Sequence, residues 1–148
     1  MGLTWLRRHL GDNFRIHEVG LADNHIDAKI VALRPGVLLL HRNVQIEQLP
    51  EFLRSWKVIP YSPPPRHGAK DETGGRPVLA SSLLGMNVLS LDEDRLLVEE
   101  TQKQLLDDLV GAGFTPIPCR WRHGRLIGGG FHCMTLDIRR RGGLEDYA

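Results

Sequence analysis

The feature that most restricts the fold of this chain is a weak internal repeat. Residues 49–56 place Leu49, Phe52, Leu53 and Trp56 at i, i+3, i+4 and i+7, the spacing of a short amphipathic helix. Residues 57–60, Lys-Val-Ile-Pro, follow as a strand. Residues 102–112 repeat the helix with Leu105, Leu106, Leu109 and Val110 on one face, and Gly113 caps it. Residues 114–118 repeat the strand, which Pro116 and Pro118 confine to a short or edge position. Ahead of each helix lies a hairpin. Residues 25–33 and 37–41 flank the turn Arg34-Pro35-Gly36, and residues 86–91 and 95–99 flank Asp92-Glu93-Asp94. A unit of strand, turn, strand, helix and strand, present twice, predicts an α/β fold built from ββαβ modules.

The repeat also organises the two ends. Residues 3–10 and Gly11 match the helix and its stop, and residues 14–19 match the strand that follows. Residues 131–138 match the opening strand of a further unit. The chain is therefore expected to start inside one module and to stop at the beginning of another. A sheet open on both sides exposes edges that need partners: other segments, copies of the chain, or a complementary N-terminal chain. The 148 residues have the length of one domain, 1–148. Within it, residues 62–77 are too rich in proline and glycine for a helix or central strand, and read as a loop or lid.

Charge argues against two classes of partner. Nineteen Lys and Arg against eighteen Asp and Glu leave a formal charge of +1, which favours neither nucleic acid nor an anionic membrane. The Arg139-Arg140-Arg141 cluster is local and reads as a solvated strand end. No apolar run approaches the ~20 residues needed to span a bilayer. Arg7, Arg8 and His9 interrupt the first apolar residues, so no signal peptide is read there, and Leu6 stands where myristoylation needs Ser or Thr. Two cysteines, Cys119 and Cys133, make no disulfide framework. A cytoplasmic protein with free thiols is expected. Cys119, His123, His132 and Cys133 lack the paired spacing of a zinc site, so no metal or other cofactor is expected.

One of those thiols stands out. The run Gly128-Gly129-Gly130-Phe131-His132-Cys133 delivers a cysteine on a backbone that can approach another surface closely. It is either a buried core cysteine or a nucleophile. If the modules surround an axis, three equivalent junctions converge: His25-Ile26-Asp27, Ser81-Ser82 through Met86-Asn87, and His132-Cys133. Alternation along strands then puts His25 and Asp27 on one face and sets His132 opposite to Cys133. On that argument His25, not His132, is the base that serves Cys133.

With these motifs the chain resembles the C-terminal portion of the amidinotransferases, glycine amidinotransferase and inosamine-phosphate amidinotransferase. Gly128–Gly130 through Cys133, with Asp137 and Arg139-Arg140-Arg141-Gly142 behind, resembles the segment that carries the family's nucleophile. His25-Ile26-Asp27 matches its His-Ile-Asp motif, and Ser81-Ser82 with Met86-Asn87 matches its Ser-Ser and Met-Asn pairs. The resemblance implies an α/β propeller of the pentein type, five ββαβ modules around an axis, with about the last two and part of a third present. It implies amidino transfer from arginine to an acceptor amine through a covalent amidino-cysteine. Cys133 would be the nucleophile and His25 the acid and base. Asp27, Ser81, Ser82 and Asn87 would contact substrate. Arg42, two residues out of register, falls near the family's carboxylate-binding arginine. Two further acids of the family's site lie N-terminal to the matched region. A hydrolase of the same superfamily and a non-catalytic subunit that binds guanidino compounds are the alternative readings.

Overall fold

The computed structural model describes residues 2–21, 25–64, 82–121 and 128–142. Helix α1 spans Gly2–Leu10. The first module consists of β1 (Ile30–Arg34), β2 (Val37–His41), α2 (Glu51–Arg54) and β3 (Lys57–Tyr61). The second consists of β4 (Leu89–Ser90), β5 (Arg95–Glu99), α3 (Lys103–Gly111) and β6 (Thr115–Cys119). Each module forms a three-stranded sheet with its second strand in the centre. The hairpin pair is antiparallel and the pair joined across the helix is parallel, with Val37 opposite Lys57 in one and Arg95 opposite Thr115 in the other. The ββαβ repeat expected from the sequence is present twice with one topology.

Local chemistry sets the element ends. Gly36, at φ +79°, closes the first hairpin, a conformation that a residue with a Cβ resists. In the second hairpin Asp92 accepts the backbone N–H groups of Asp94 and Arg95 and pairs with the Arg95 side chain. The Arg95 guanidinium, followed by those N–H groups, holds its carboxyl down to about 2. Helix α2 is half as long as the 49–56 periodicity predicts. Pro50 sits at its N-cap at ψ 145°, so the helix starts only at Glu51, and Leu49 precedes it at the end of a separate 3₁₀ turn, Ile46–Gln48. Helix α3 matches its expected span within a residue at each end, and Gly113 follows it at φ +89°.

Strand β2 is buried along its whole length, which requires cover on both faces. Val37 and Leu39 enter a core with Leu33, Ile59 and Tyr61 of their own sheet. Met86, Val88, Leu96, Val98, Leu105, Leu109 and Phe114 of the second module complete that core. Leu38 and Leu40 face the other way, into a cluster with Val44 and Leu49 that Leu53 and Trp56 cover. Polar ties join the modules at the rim of the shared core. Arg34 lies 4.3 Å over the Phe114 ring and donates to Asp94 Oδ1 at 2.8 Å, while Tyr61 donates to Gln102 Oε1 at 3.0 Å. Burial pushes the Tyr61 hydroxyl up to about 12.

Four expected strands differ from the structure. Residues 86–91 form a ladder only at Leu89–Ser90, because the 3₁₀ turn Ser82–Met86 occupies the start of that span. Residues 14–19 enter from an extended Phe14 (φ −128°, ψ 131°) but join no ladder among the described residues. Residues 25–33 become a strand only from Ile30, because a 3₁₀ turn occupies Ile26–Ala28. Residues 131–138 are not a strand. Residues 131–134 form a turn, and Leu136 and Ile138 stand 85% and 94% exposed. A strand needs a ladder partner and a half-buried face, and neither is supplied to 131–138 by the described residues. The Ser62–Pro64 start of the proline-rich loop is irregular, and Pro65–Pro77, which includes the rest of the expected lid, lies outside the described residues.

Candidate active site

The junctions between modules are turns rather than strand starts. Ile26–Ala28 forms a 3₁₀ turn ahead of β1, closed by Lys29 N–H to Ile26 O at 2.8 Å. Ser82–Met86 forms another ahead of β4, and Asn87 leaves it by donating its N–H to Leu84 O at 2.9 Å. The third is the turn at 131–134, where Met134 N–H reaches Gly130 O and Thr135 Oγ1 bonds Phe131 O at 2.9 Å. Phe131 is buried against Trp121, edge to face at 4.8 Å, and Trp121 Nε1 donates to Gly129 O at 2.8 Å. Those contacts seat the glycine run and leave Cys133 at the exposed tip.

Three of the expected site residues meet there. Cys133 N–H donates to Asn87 Oδ1 at 2.9 Å, and Asn87 Nδ2 lies 3.0 Å from Cys133 Sγ and 2.8 Å from Asp27 Oδ2. Cys133 Sγ is 3.7 Å from the same Asp27 oxygen. The convergence of junctions expected from the repeat is therefore present for Asp27, Asn87 and Cys133. The thiol is exposed rather than part of the core.

His132 corrects the alternation argument. Its Nδ1 is 3.5 Å from Asp27 Oδ2, so His132 and Cys133 both reach one carboxylate. In a turn, adjacent side chains are not forced to opposite faces as they are on a strand. The sequence signal for His132 is its adjacency to Cys133, which a strand would set on opposite faces and a turn does not. His25 is exposed at the start of the Ile26–Ala28 turn, where its carbonyl accepts the Ala28 N–H at 3.3 Å. Arg42 follows β2, tied by its N–H to Tyr61 O at 2.9 Å, and the bonds around Cys133 do not run to it. Ser81 lies outside the described residues, and for Ser82 only the backbone turn is described. No cluster of three metal-ligating side chains occurs among the described residues. No described helix is long and apolar enough to cross a membrane.

Chemically, the arrangement presents a thiol beside a carboxylate that can accept paired hydrogen bonds. That combination suits a planar cation carrying an electrophilic carbon, because a guanidinium can bond the carboxylate edge-on while its carbon faces the sulfur.

Comparison with known proteins finds relatives over nearly the whole chain. No protein-family model matches the chain. It is 41% identical over 150 residues to L-arginine:L-lysine amidinotransferase of Pseudomonas savastanoi pv. phaseolicola, covering 99% of this chain and 40% of that protein. It is 39% identical over 150 residues to inosamine-phosphate amidinotransferase 1 of Streptomyces glaucescens, covering 99% and 42%. The solved amidinotransferase of the saxitoxin biosynthetic pathway of Microseira wollei superposes with a TM-score of 0.88 at 37% identity, covering 99% of this chain and 43% of that one. The chain thus spans about two-fifths of the length of the proteins it matches. Over nearly all of its own length it is similar to a part of the amidinotransferases, and its two ββαβ modules superpose on part of a solved member, consistent with a partial α/β propeller.

Proposed function

We propose that this chain carries the nucleophile-bearing part of an amidinotransferase. The single observation behind the reading is Cys133 Sγ, exposed on a glycine-seated turn 3.7 Å from the Asp27 carboxylate, in a chain 41% identical to an amidinotransferase. Asp27 holds the guanidinium of a donor such as arginine by charge-assisted hydrogen bonds. The Cys133 thiolate adds to the amidino carbon. The bond from that carbon to the donor amine breaks as His25 protonates the amine, and an S-amidino cysteine remains. An acceptor amine then adds to the same carbon and gives its proton to His25, and the C–S bond breaks to return the thiolate. By the same resemblance Ser81, Ser82 and Arg42 are assigned to substrate contact. The substrates are small molecules, and a reducing compartment such as the cytoplasm keeps the thiol free.

A complete propeller needs modules beyond the two described, from a complementary chain, a further segment or an assembly of copies. The apolar residues Trp5, Leu6 and Leu10 of α1, with Leu136 and Ile138, are exposed surface that such modules would cover.

Ornithine release measured with and without an acceptor amine tests the reaction class. Release from arginine that depends on lysine, glycine or another amine supports transfer. Ornithine with urea, or citrulline with ammonia, formed whether or not the amine is present contradicts it.

A further inference from the structure

Asn87 was expected to contact substrate, but its side chain is turned inward. We infer that it is a positioning residue for the nucleophile, fixing the backbone of Cys133 and donating a hydrogen bond that stabilises the thiolate. The inference rests on the reading of Cys133 as the nucleophile. Asn87 is 9% exposed, and its three side-chain bonds all run to protein atoms. Its orientation is determined by chemistry. The Cys133 N–H can only donate, so the atom facing it is Oδ1, and Nδ2 then faces Asp27 and the sulfur. The two amide hydrogens are divided between Asp27 Oδ2 at 2.8 Å and Cys133 Sγ at 3.0 Å.

This placement answers an electrostatic difficulty. A carboxylate 3.7 Å from the sulfur puts like charge beside a thiolate. An amide that donates to both anions lies between them and lowers that repulsion. The amide is held rigidly enough to do so. Met86 and Val88, which flank Asn87, are 0% and 2% exposed in the shared core. Two glycines permit the close approach. A Cβ at Gly130 would lie 2.7 Å from Asn87 Cβ, and one at Gly129 would lie 2.8 Å from Cys133 Cβ, both closer than side chains tolerate. The glycine run therefore has a stated purpose: it lets the turn settle onto the Asn87 amide.

Alkylation by iodoacetamide tests this without arginine or acceptor, so its outcome is separable from that of amidino transfer. Peptide-resolved mass spectrometry follows Cys133, with Cys119 as internal reference. Asn87→Asp keeps an oxygen for the Cys133 N–H and removes both donors; Asn87→Ala removes all three bonds. Both variants are expected to slow Cys133 alkylation about tenfold or more at pH 7 relative to Cys119. The deficit closes near pH 10, where a thiol ionises without help. An unchanged rate at pH 7 in either folded variant overturns the inference. So does a deficit that persists undiminished to pH 10, which marks a displaced thiol. Should neither variant fold, the unsubstituted chain decides. The ¹⁵N side-chain resonances of Asn87 are expected to shift over the pH range in which Cys133 becomes reactive, and their invariance overturns the inference.

Discussion

Asn87 grips Cys133 at both ends, accepting its backbone N–H at 2.9 Å and donating to its sulfur at 3.0 Å. One residue at the junction before β4 thereby sets the position of a thiol forty-six residues later in the chain.

Gly130→Ala tests the fit directly. The added methyl would stand 2.7 Å from Asn87 Cβ and 2.8 Å from its Oδ1, with both residues buried. The turn must shift, at an expected cost of about 1–3 kcal/mol in urea unfolding. Cys133 alkylation at pH 7 is expected to fall in the same variant. Wild-type stability and reactivity in Gly130→Ala would show that the turn does not rest on Asn87.

His25 and His132 are separable by substitution. His25→Ala is expected to slow formation of the Cys133 adduct from arginine a hundredfold or more, the usual effect of losing a general acid. His132→Ala is expected to stay within about tenfold, because its contact is with Asp27 at 3.5 Å on an exposed side chain. Single-turnover adduct formation read by mass spectrometry distinguishes them, and the reverse ranking would reassign the acid to His132.

These two histidines also show what was legible in the sequence and what was not. Both hairpins, both helices and their following strands announce themselves by period and by turn residues, as Leu105, Leu109 and Gly113 do for α3. Three-residue 3₁₀ turns have no period to detect, so in the sequence Ile26–Ala28 is indistinguishable from the strand that starts at Ile30. The apolar alternation of Met134, Leu136 and Ile138 has the pattern of a strand, but a pattern becomes a ladder only against a partner. Without one, 131–134 is a turn, and the face assignment that separated His132 from Cys133 lapses. Which residues converge was readable from the repeat; how they touch depends on turns that only the folded chain displays.

The tie between modules should be measurable at Arg34. Its guanidinium stacks on Phe114 and bonds the Glu93 carbonyl and the Asp94 carboxylate. Arg34→Ala is expected to cost about 1–2 kcal/mol, from stacking and a carbonyl bond combined. Asp94→Ala is expected to cost under about 1 kcal/mol, since that pair is exposed. Equal losses in the two variants would place the tie in the ion pair alone.

His41 predicts an acid-sensitive contribution to stability. It is 4% exposed, its Nδ1 accepts the Asn43 N–H, and its Nε2 has no partner among the described residues. Burial first, then Lys29 and Arg42, lowers its pKa from the ordinary 6.5. The folded state therefore binds the proton more weakly than the unfolded chain. The associated stability is present above about pH 6.5 and is lost as pH falls toward the lowered folded value, with a slope of at most about 1.4 kcal/mol per pH unit. Urea unfolding of His41→Asn between pH 7.5 and 5 should show a shallower decline than the unsubstituted chain. Parallel curves would remove His41 from the acid response.

Transfer of the amidino group to Cys133 is read from arginine labelled with ¹³C at its guanidino carbon. The protein is assembled with its remaining modules and quenched before acceptor is added. The labelled carbon is expected on the Cys133 peptide, is absent in Cys133→Ser, and passes to the acceptor when an amine is supplied. Ornithine released while Cys133 stays unlabelled at every quench time would contradict it.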